Sequence, residues 1–433
     1  MTVSPQLKSF FNKLWGFLKI YQAPILSGLL SGTSYIPFPP WAAVFMWVPL
    51  WWFVSQQKKL KSVLIGAWLC QFIGTLIGFN WVAYTIQTFG QMPWIAAILG
   101  LFFFCAFSNI FMVIACAAWF VLVHRSPTPL STPFKLILFP LLFSLFHSLI
   151  PMLFPWNMGY VWLWAGLPLF QTAEIWGARF LNTLIYVFNL CFLILYKHRW
   201  DLTGKKALAT VAGLFISLNI FGFYLKHRLP ERASQLKVLM VQSNIGHLRK
   251  DSEDSSSSLK KQIQSPARRA RITLKELTYK GLIKFRKQYE DRSHVNFILW
   301  PEGAYPYTIN KSQDHVSYIT RQVQKFKIPL ITGGTGENHK GYTNSLFIFN
   351  REGKLLKPVY DKVKLLAFGE YMPGPFQLSF VKKFLPYFQG HFIPGQNPAV
   401  QRLEEIPLGL QICYESLFDK MTRRIAQEGA QIL

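Results

Sequence analysis

Three residue types that together can open a carbonyl group lie far apart in this chain of 433 residues. Cys413, in Gly409-Leu410-Gln411-Ile412-Cys413-Tyr414-Glu415, offers a nucleophile. Glu302 ends Leu299-Trp300-Pro301-Glu302, just past an apolar run that reads as a buried strand. Lys362, in Tyr360-Asp361-Lys362, stands eight residues before Glu370 of Phe368-Gly369-Glu370. A thiol needs a base to become a thiolate, and a positive group to hold the oxyanion formed when it attacks a carbonyl. Glu302, Lys362 and Cys413 match those three parts. Lys364 competes with Lys362, because residues two apart on a strand share a face, and spacing does not choose between them. The peptide N–H after the nucleophile is a natural oxyanion donor. The side chains of Tyr414 and Glu415 would shape the pocket, with simple packing the rival role for Tyr414.

The elements that must position these residues differ sharply between the two halves of the chain. With 51% hydrophobic and 16% aromatic residues, the composition is too apolar for an ordinary soluble protein. Up to Gln235 the chain holds 16 Lys and Arg against 3 Asp and Glu, leaving 30 and 17 for the rest. Apolar stretches near the length of a membrane span occur at about 23–38, 41–56, 62–82, 93–123, 135–154, 179–196 and 207–225. Seven crossings are therefore expected in a membrane domain over 1–225, followed by a linker at 226–235. Pro37, Pro39 and Pro40 turn the chain between the first two stretches, and the fourth is long enough to tilt or project. Twelve loop cations, among them Lys58, Lys59, Lys61, Lys205 and Lys206, fall on one side and only Arg179 on the other. That asymmetry predicts a cytoplasmic amino terminus and an external second half. The start of the chain lacks the small-residue cleavage site of a signal peptide.

Cys70, Cys105, Cys116 and Cys191 all sit in apolar stretches, where a reduced thiol is a small hydrophobe. Cys413 has no partner within its own half, so in an oxidising external compartment its retention points to catalysis. Between Phe154 and Arg179, Trp156, Tyr160, Trp162, Trp164 and Trp176 read as an interfacial aromatic belt with an amphipathic segment, or as a lipid portal.

From 236 to 433 apolar runs alternate with helix-like stretches. Runs at 236–242, 295–299, 329–332, 344–349, 354–360 and 409–413 read as strands, with a hairpin at Arg351-Glu352-Gly353 and another strand starting at 431–433. Helices are expected at 314–326, up to 428 after Cys413, and over the basic stretch 260–292, whose outer face is solvated or drawn to anionic lipid. Residues 251–258 are polar and serine-rich. The pattern predicts an α/β layered domain with a mixed sheet and active residues at strand ends. Nothing in it resembles a nucleic-acid module.

Trp300-Pro301-Glu302, Lys362 with Phe368-Gly369-Glu370, and Cys413-Tyr414-Glu415 resemble the Glu-Lys-Cys signature of the nitrilase, or carbon-nitrogen hydrolase, superfamily. With the preceding spans and Phe154-Pro155-Trp156, the whole chain resembles the apolipoprotein N-acyltransferases of bacterial inner membranes. The resemblance prefers Lys362 over Lys364 and gives Glu370 a supporting place beside the lysine and the glutamate. It implies ping-pong acyl transfer: a phospholipid donates an acyl chain to Cys413, and the α-amine of the S-diacylglyceryl cysteine of an apolipoprotein accepts it. It implies no metal or diffusible cofactor, and a catalytic domain on the periplasmic side of the inner membrane. Two departures stand out. The family's tryptophan after the first strand is missing from Gln242–Lys250, and the chain stops at Leu433 where the family continues, so a shortened catalytic domain is expected. A membrane-tethered amidase or nitrilase, and a non-enzymatic membrane protein, are the rival readings.

Overall fold

Of the spans expected from hydropathy, the first, second and fourth change most in the folded chain, while the third stands as one helix. In the computed structural model, which describes residues 5–154, 156–228, 236–245, 266–289, 295–374, 392–396 and 400–433, the chain forms two compact units, Met1–Glu231 and Arg232–Leu433. The serine-rich stretch 251–258, most of the linker (229–235), Pro155 and positions 246–250 of the loop after the first strand lie outside the described residues.

The first unit is helical. Its helices are α1 (Pro5–Gly32), α2 (Val48–Gln56), α3 (Leu60–Gly78), α4 (Trp81–Phe89), α5 (Trp94–Phe107), α6 (Phe111–His124), α7 (Thr132–Leu149), α8 (Tyr160–Trp164), α9 (Ala173–Trp176), α10 (Ala178–His198) and α11 (Leu202–His227). Among the described residues, five stretches are long and apolar enough to cross a membrane: α3, Trp94–His124, α7, α10 and α11. The expected stretches 23–38 and 41–56 are not among them. α1 reaches back over the basic residues Lys8, Lys13 and Lys19 and ends at Gly32, before the prolines. α2 has 9 residues, about 14 Å at 1.5 Å per residue, against a hydrocarbon core of roughly 30 Å.

The expected long fourth span is broken. α5 and α6 are separated by a turn at 108–110, and polar side chains of α3 mend the gap. Gln71 Nε2 donates to the carbonyls of Cys105 and Ala106 at 3.0 Å each, and its Oε1 accepts from Asn109 N at 3.3 Å. Asn109 Nδ2 in turn donates to Thr75 Oγ1 at 2.9 Å. Backbone groups freed by a break have no water to turn to in an apolar layer, so neighbouring side chains must satisfy them. The start of α2 is treated in the same way. Trp47 N donates to Asn189 Oδ1 at 2.7 Å and Leu50 N to Ser27 Oγ at 2.9 Å.

α1 and α3 approach closely because both present small residues. A Cβ on Gly28 would lie 2.8 Å from the Cys70 carbonyl, and one on Gly74 would lie 2.3 Å from Ser31 Oγ. Cys70, Cys105, Cys116 and Cys191 are all buried and free, as expected of small hydrophobes. The aromatic connection is a chain of short helices, not one amphipathic helix. Trp162 packs inside (3% exposed), while Trp164 and Trp176 stand at 44% and 48%.

The second unit is an α/β domain around a five-stranded mixed sheet in the order β1-β2-β3-β4-β5. The strands are β1 (Val238–Met240), β2 (Phe297–Thr308), β3 (Leu330–Asn338), β4 (Gly341–Phe349) and β5 (Tyr360–Asp361). The first three run parallel, and β3/β4 and β4/β5 are antiparallel. Both faces are covered, so neighbouring residues alternate between two cores. Ile298, Leu330 and Phe347 join the core under the helices Pro266–Gln288 and Gln313–Phe326. Phe297, Ile331 and Ile348 join the core shared with Leu408, Ile412 and Ile425. Each such fully buried side chain contributes about 1.5–3 kcal/mol.

The strand expectations need two corrections. A hairpin connects β3 and β4 through His339-Lys340, where Lys340 N bonds Asn338 Oδ1 at 2.9 Å. The run 409–413 is not a strand: β7 (Ile406–Gly409) pairs with β6 (Val400–Leu403), and a 3-10 turn begins at Cys413. The turn expected at Arg351-Glu352-Gly353 is present and joins β4 to β5: Phe349 bridges Leu355, the pairing lapses at Pro358, which has no N–H to give, and it resumes with Leu346 opposite Tyr360 and Ser345 opposite Asp361. Ile432 bridges to Leu408 in parallel, as the reading of 431–433 expects.

Candidate active site

Glu302 does not follow a strand end; it sits inside β2 where the register with β3 shifts between Trp300 and Tyr305. Apolar neighbours hold both sides of the irregularity, with Trp300 and Tyr305 each 2% exposed. Gly333 makes room for it, since a Cβ there would lie 2.7 Å from Glu302 Cα. Lys362 follows the two-residue β5 and is anchored by its backbone, with its N–H on Asn344 O at 2.8 Å and its carbonyl accepting from Gly395 N at 2.8 Å. Because β5 ends at Asp361, the same-face argument for Lys362 and Lys364 does not apply. Lys362 is 1% exposed, whereas Lys364 Nζ lies 5.9 Å over the Phe418 ring.

The two carboxylates and the lysine form one cluster. Lys362 Nζ is 2.8 Å from Glu370 Oε1 and 3.6 Å from Glu302 Oε1. Burial alone would pull the lysine's pKa down, but the hydrogen bond and charge of Glu370, with the charge of Glu302, leave it above its ordinary value. The ammonium is therefore fixed and charged. The second oxygen of Glu370 accepts from Leu366 N at 2.7 Å, closing the loop that carries Phe368 and Gly369.

One member of this cluster is missing from the sequence reading. Asn344, on β4, directs its amide nitrogen at both carboxylates, 2.8 Å from Glu302 Oε1 and 2.6 Å from Glu370 Oε1. The amide has two hydrogens, one for each. No motif signals an asparagine inside an apolar strand; only the pairing of β4 with β5 brings it beside Lys362.

Cys413 is exposed and has φ of 52°, a left-handed conformation that costs a non-glycine residue about 1–3 kcal/mol. Glu415 holds the turn in this shape. Its carboxylate is fully buried and takes four donors: Ile412 N (2.8 Å), Tyr360 Oη (2.7 Å), Val363 N (2.7 Å) and Lys364 N (3.0 Å). It thus ties the nucleophile turn to the lysine segment, a structural role more specific than the pocket-shaping expected of it. Burial, then the bond and charge of Glu415, push the Tyr360 hydroxyl pKa far up. Tyr414 packs edge-on to Phe418 at 5.1 Å, and burial followed by Tyr371 raises its pKa.

The Cys413 thiol is likewise pushed above its ordinary pKa, by burial first and then by the charge and hydrogen bond of Glu302; Lys362 and the Tyr414 N–H pull the other way. The resting site therefore holds a neutral thiol hydrogen-bonded to Glu302, not a preformed thiolate. Such an arrangement suits proton transfer in step with attack. Among the described residues, no cluster of three His, Cys, Asp or Glu is arranged to hold a metal. Those residues contain only three buried formal charges, Lys362, Glu370 and Glu415, and all three lie here. Charge is buried where it is paired and used.

Comparison with known proteins follows the same division. Residues 27–191 match the family model of the apolipoprotein N-acyltransferase N-terminal domain, and residues 276–433 match that of carbon-nitrogen hydrolase. The apolipoprotein N-acyltransferase of Bdellovibrio bacteriovorus is 33% identical over 429 residues, covering 94% of this chain and 75% of that protein. That of Geobacter metallireducens is 25% identical over 431 residues, covering 95% and 76%. Among solved structures, an amidase of the nitrilase superfamily from Nesterenkonia is similar to part of the chain, with 18% identity, a TM-score of 0.30 and coverage of 47% and 66%. The chain belongs to the apolipoprotein N-acyltransferase family, membrane-embedded enzymes whose catalytic unit is a carbon-nitrogen hydrolase domain.

Proposed function

We propose that this acyltransferase moves an acyl chain from a membrane phospholipid to the α-amine of the amino-terminal S-diacylglyceryl cysteine of apolipoproteins, through a thioester on Cys413. The observation that carries the roles is the cluster itself: a thiol hydrogen-bonded to Glu302, beside an ammonium 3.6 Å from that carboxylate. Glu302 takes the thiol proton as sulfur attacks the ester carbonyl. Lys362 and the Tyr414 N–H hold the oxyanion. The C–O bond breaks, the leaving alkoxide takes the proton from Glu302, and a lysophospholipid departs. A neutral amine then attacks the thioester, passing its proton to Glu302; the C–S bond breaks and Cys413 recovers that proton.

Glu370 and Asn344 hold Lys362 and Glu302 in place, and Glu415 holds the nucleophile turn. The loop asymmetry of twelve cations to one supports a bacterial inner membrane with this unit on the periplasmic side. The extents proposed for the parts are a membrane domain over 1–225, a linker at 226–235 and a catalytic domain from 236.

Incubation of the protein with phospholipid vesicles should add one acyl mass, released by hydroxylamine, to the peptide containing Cys413. Cys413→Ala should carry none, and its unchanged labelling overturns the assignment. Ammonia release from soluble amides with no need for lipid would indicate an amidase instead.

A further inference from the structure

The helix Pro266–Gln288 is anchored by its inner face. Ala270, Leu274 and Thr278, four residues apart, are 1%, 0% and 0% exposed, and Thr278 Oγ1 accepts from Trp300 Nε1 at 3.0 Å. Gly281 lets the side chain of Leu239 come close. On the opposite face Tyr279 makes an inward ring contact, edge-on to Phe326 at 5.4 Å, and a water-facing helix would place polar residues at the centre of that face. Here that centre is apolar. Ile272, Tyr279 and Ile283 are 43%, 39% and 51% exposed and, at 100° per residue, fall within about 40° of one another.

Cations line both sides of this stripe. Arg268 and Arg286 flank one side, and Arg269, Lys280 and Lys287 the other, all exposed. Over its whole length the helix carries eight Lys and Arg and one acidic residue, Glu276. An apolar stripe at the outermost line of a helix, bordered by cations, is the arrangement of helices that lie in a lipid interface: the apolar residues enter the acyl boundary and the cations meet the headgroups. The same chain carries five stretches able to cross a membrane, so a bilayer surface is always at hand.

We infer that the outer face of the helix Pro266–Gln288 is a docking surface for a bilayer carrying anionic headgroups, with Ile272 and Ile283 inserted on either side of the Tyr279 ring and the flanking cations on phosphate. A basic interfacial helix of this kind loses its hold when the headgroups lose their charge or when salt screens them.

The test places a photoreactive benzophenone amino acid at position 272 or 283 of the full chain, with position 423 on the helix Asp419–Gln427 as control. The protein is reconstituted in vesicles of phosphatidylglycerol and phosphatidylcholine, or of phosphatidylcholine alone. Mass spectrometry after irradiation should find lipid adducts at 272 and 283 in the anionic vesicles, about tenfold above those at 423 or in phosphatidylcholine alone. Lys280→Glu with Lys287→Glu, both on the solvent side of the helix, should lower the yield by about as much. Adduct yields equal to the control, or unaffected by lipid charge, overturn the proposal. Crosslinks to a second copy of the chain in place of lipid overturn it in favour of self-association.

Discussion

The two units bury polar groups for opposite reasons. In the membrane unit the buried polar side chains among the described residues include Gln71, Asn109, Asn182 and Asn189, and none is a Lys, Arg, Asp or Glu. Three of these amides serve the backbone: Gln71 bridges the break between α5 and α6, Asn189 holds the entry to α2, and Asn182 accepts from Gly159 N at 2.7 Å, while Asn109 bonds the Thr75 hydroxyl. In the catalytic unit the buried polar groups include Lys362, Glu370 and Glu415, all charged: the first two are paired with each other, and the third is held by four donors, two of them in the segment that follows Lys362. Neutral amides can mend a backbone in an apolar layer at modest cost, whereas a buried charge survives only with a partner. A buried charge is therefore a much sharper pointer to chemistry in this chain than a buried amide is.

The comparison breaks most readily at Lys362. If the buried ammonium stabilises the transition state, Lys362→Met should slow acyl labelling of Cys413 by about 100-fold or more. Lys364→Met should change it little, since that ammonium lies over the Phe418 ring. Equal losses in single-turnover labelling would remove the distinction.

A smaller loss is expected at the neutral member of the charged network. Asn344→Leu removes the donor shared by Glu302 and Glu370 but keeps the backbone bond to Lys362 N. Labelling should slow by roughly tenfold, in line with one or two lost bonds to charged groups. A rate unchanged within twofold would show that the lysine alone orders the carboxylates.

For the membrane unit the expected readout is stability, not rate. Gln71→Leu leaves the Asn109 N–H and two carbonyls of α5 without their partner, at a cost of about 1–3 kcal/mol. A lowered unfolding midpoint in detergent, with the labelling rate per folded molecule preserved, supports the contrast; a tenfold fall in that rate contradicts it.

The finest test is the titration of Cys413. Because burial and Glu302 raise its pKa above that of an ordinary thiol, alkylation by iodoacetamide should keep rising with pH beyond the range in which a free thiol has levelled off. Glu302→Gln removes a charge that raises the pKa, so the midpoint should move down. Lys362→Met removes one that lowers it, so the midpoint should move up. Shifts of the opposite sign would mean that the thiol does not face these groups.

Much was legible in the linear order of residues. Apolar stretches of span length announced a membrane unit because the hydrocarbon layer sets a length, and Glu302, Lys362, Glu370, Cys413 and Glu415 stood in motifs whose chemistry names them. Continuous apolar runs marked the cores of β2, β3 and β4, since a sheet covered on both faces needs apolar residues on each. Other features depended on contacts between distant segments. The break between α5 and α6 lies in a long apolar run marked only by Ser108 and Asn109, and the groups that stabilise it come from α3. The β3–β4 hairpin escaped notice behind the stronger glycine signal at Gly353, whose turn joins β4 to β5. Asn344 became a site residue only through the register of β4 against β5, and Glu415 a latch only because the turn at Cys413 folds back onto the lysine segment. Residue types determine which reactions are available and which segments must be buried; the meeting of groups 42 or 52 residues apart is decided by strand order and by the packing of both sheet faces, which local sequence does not encode.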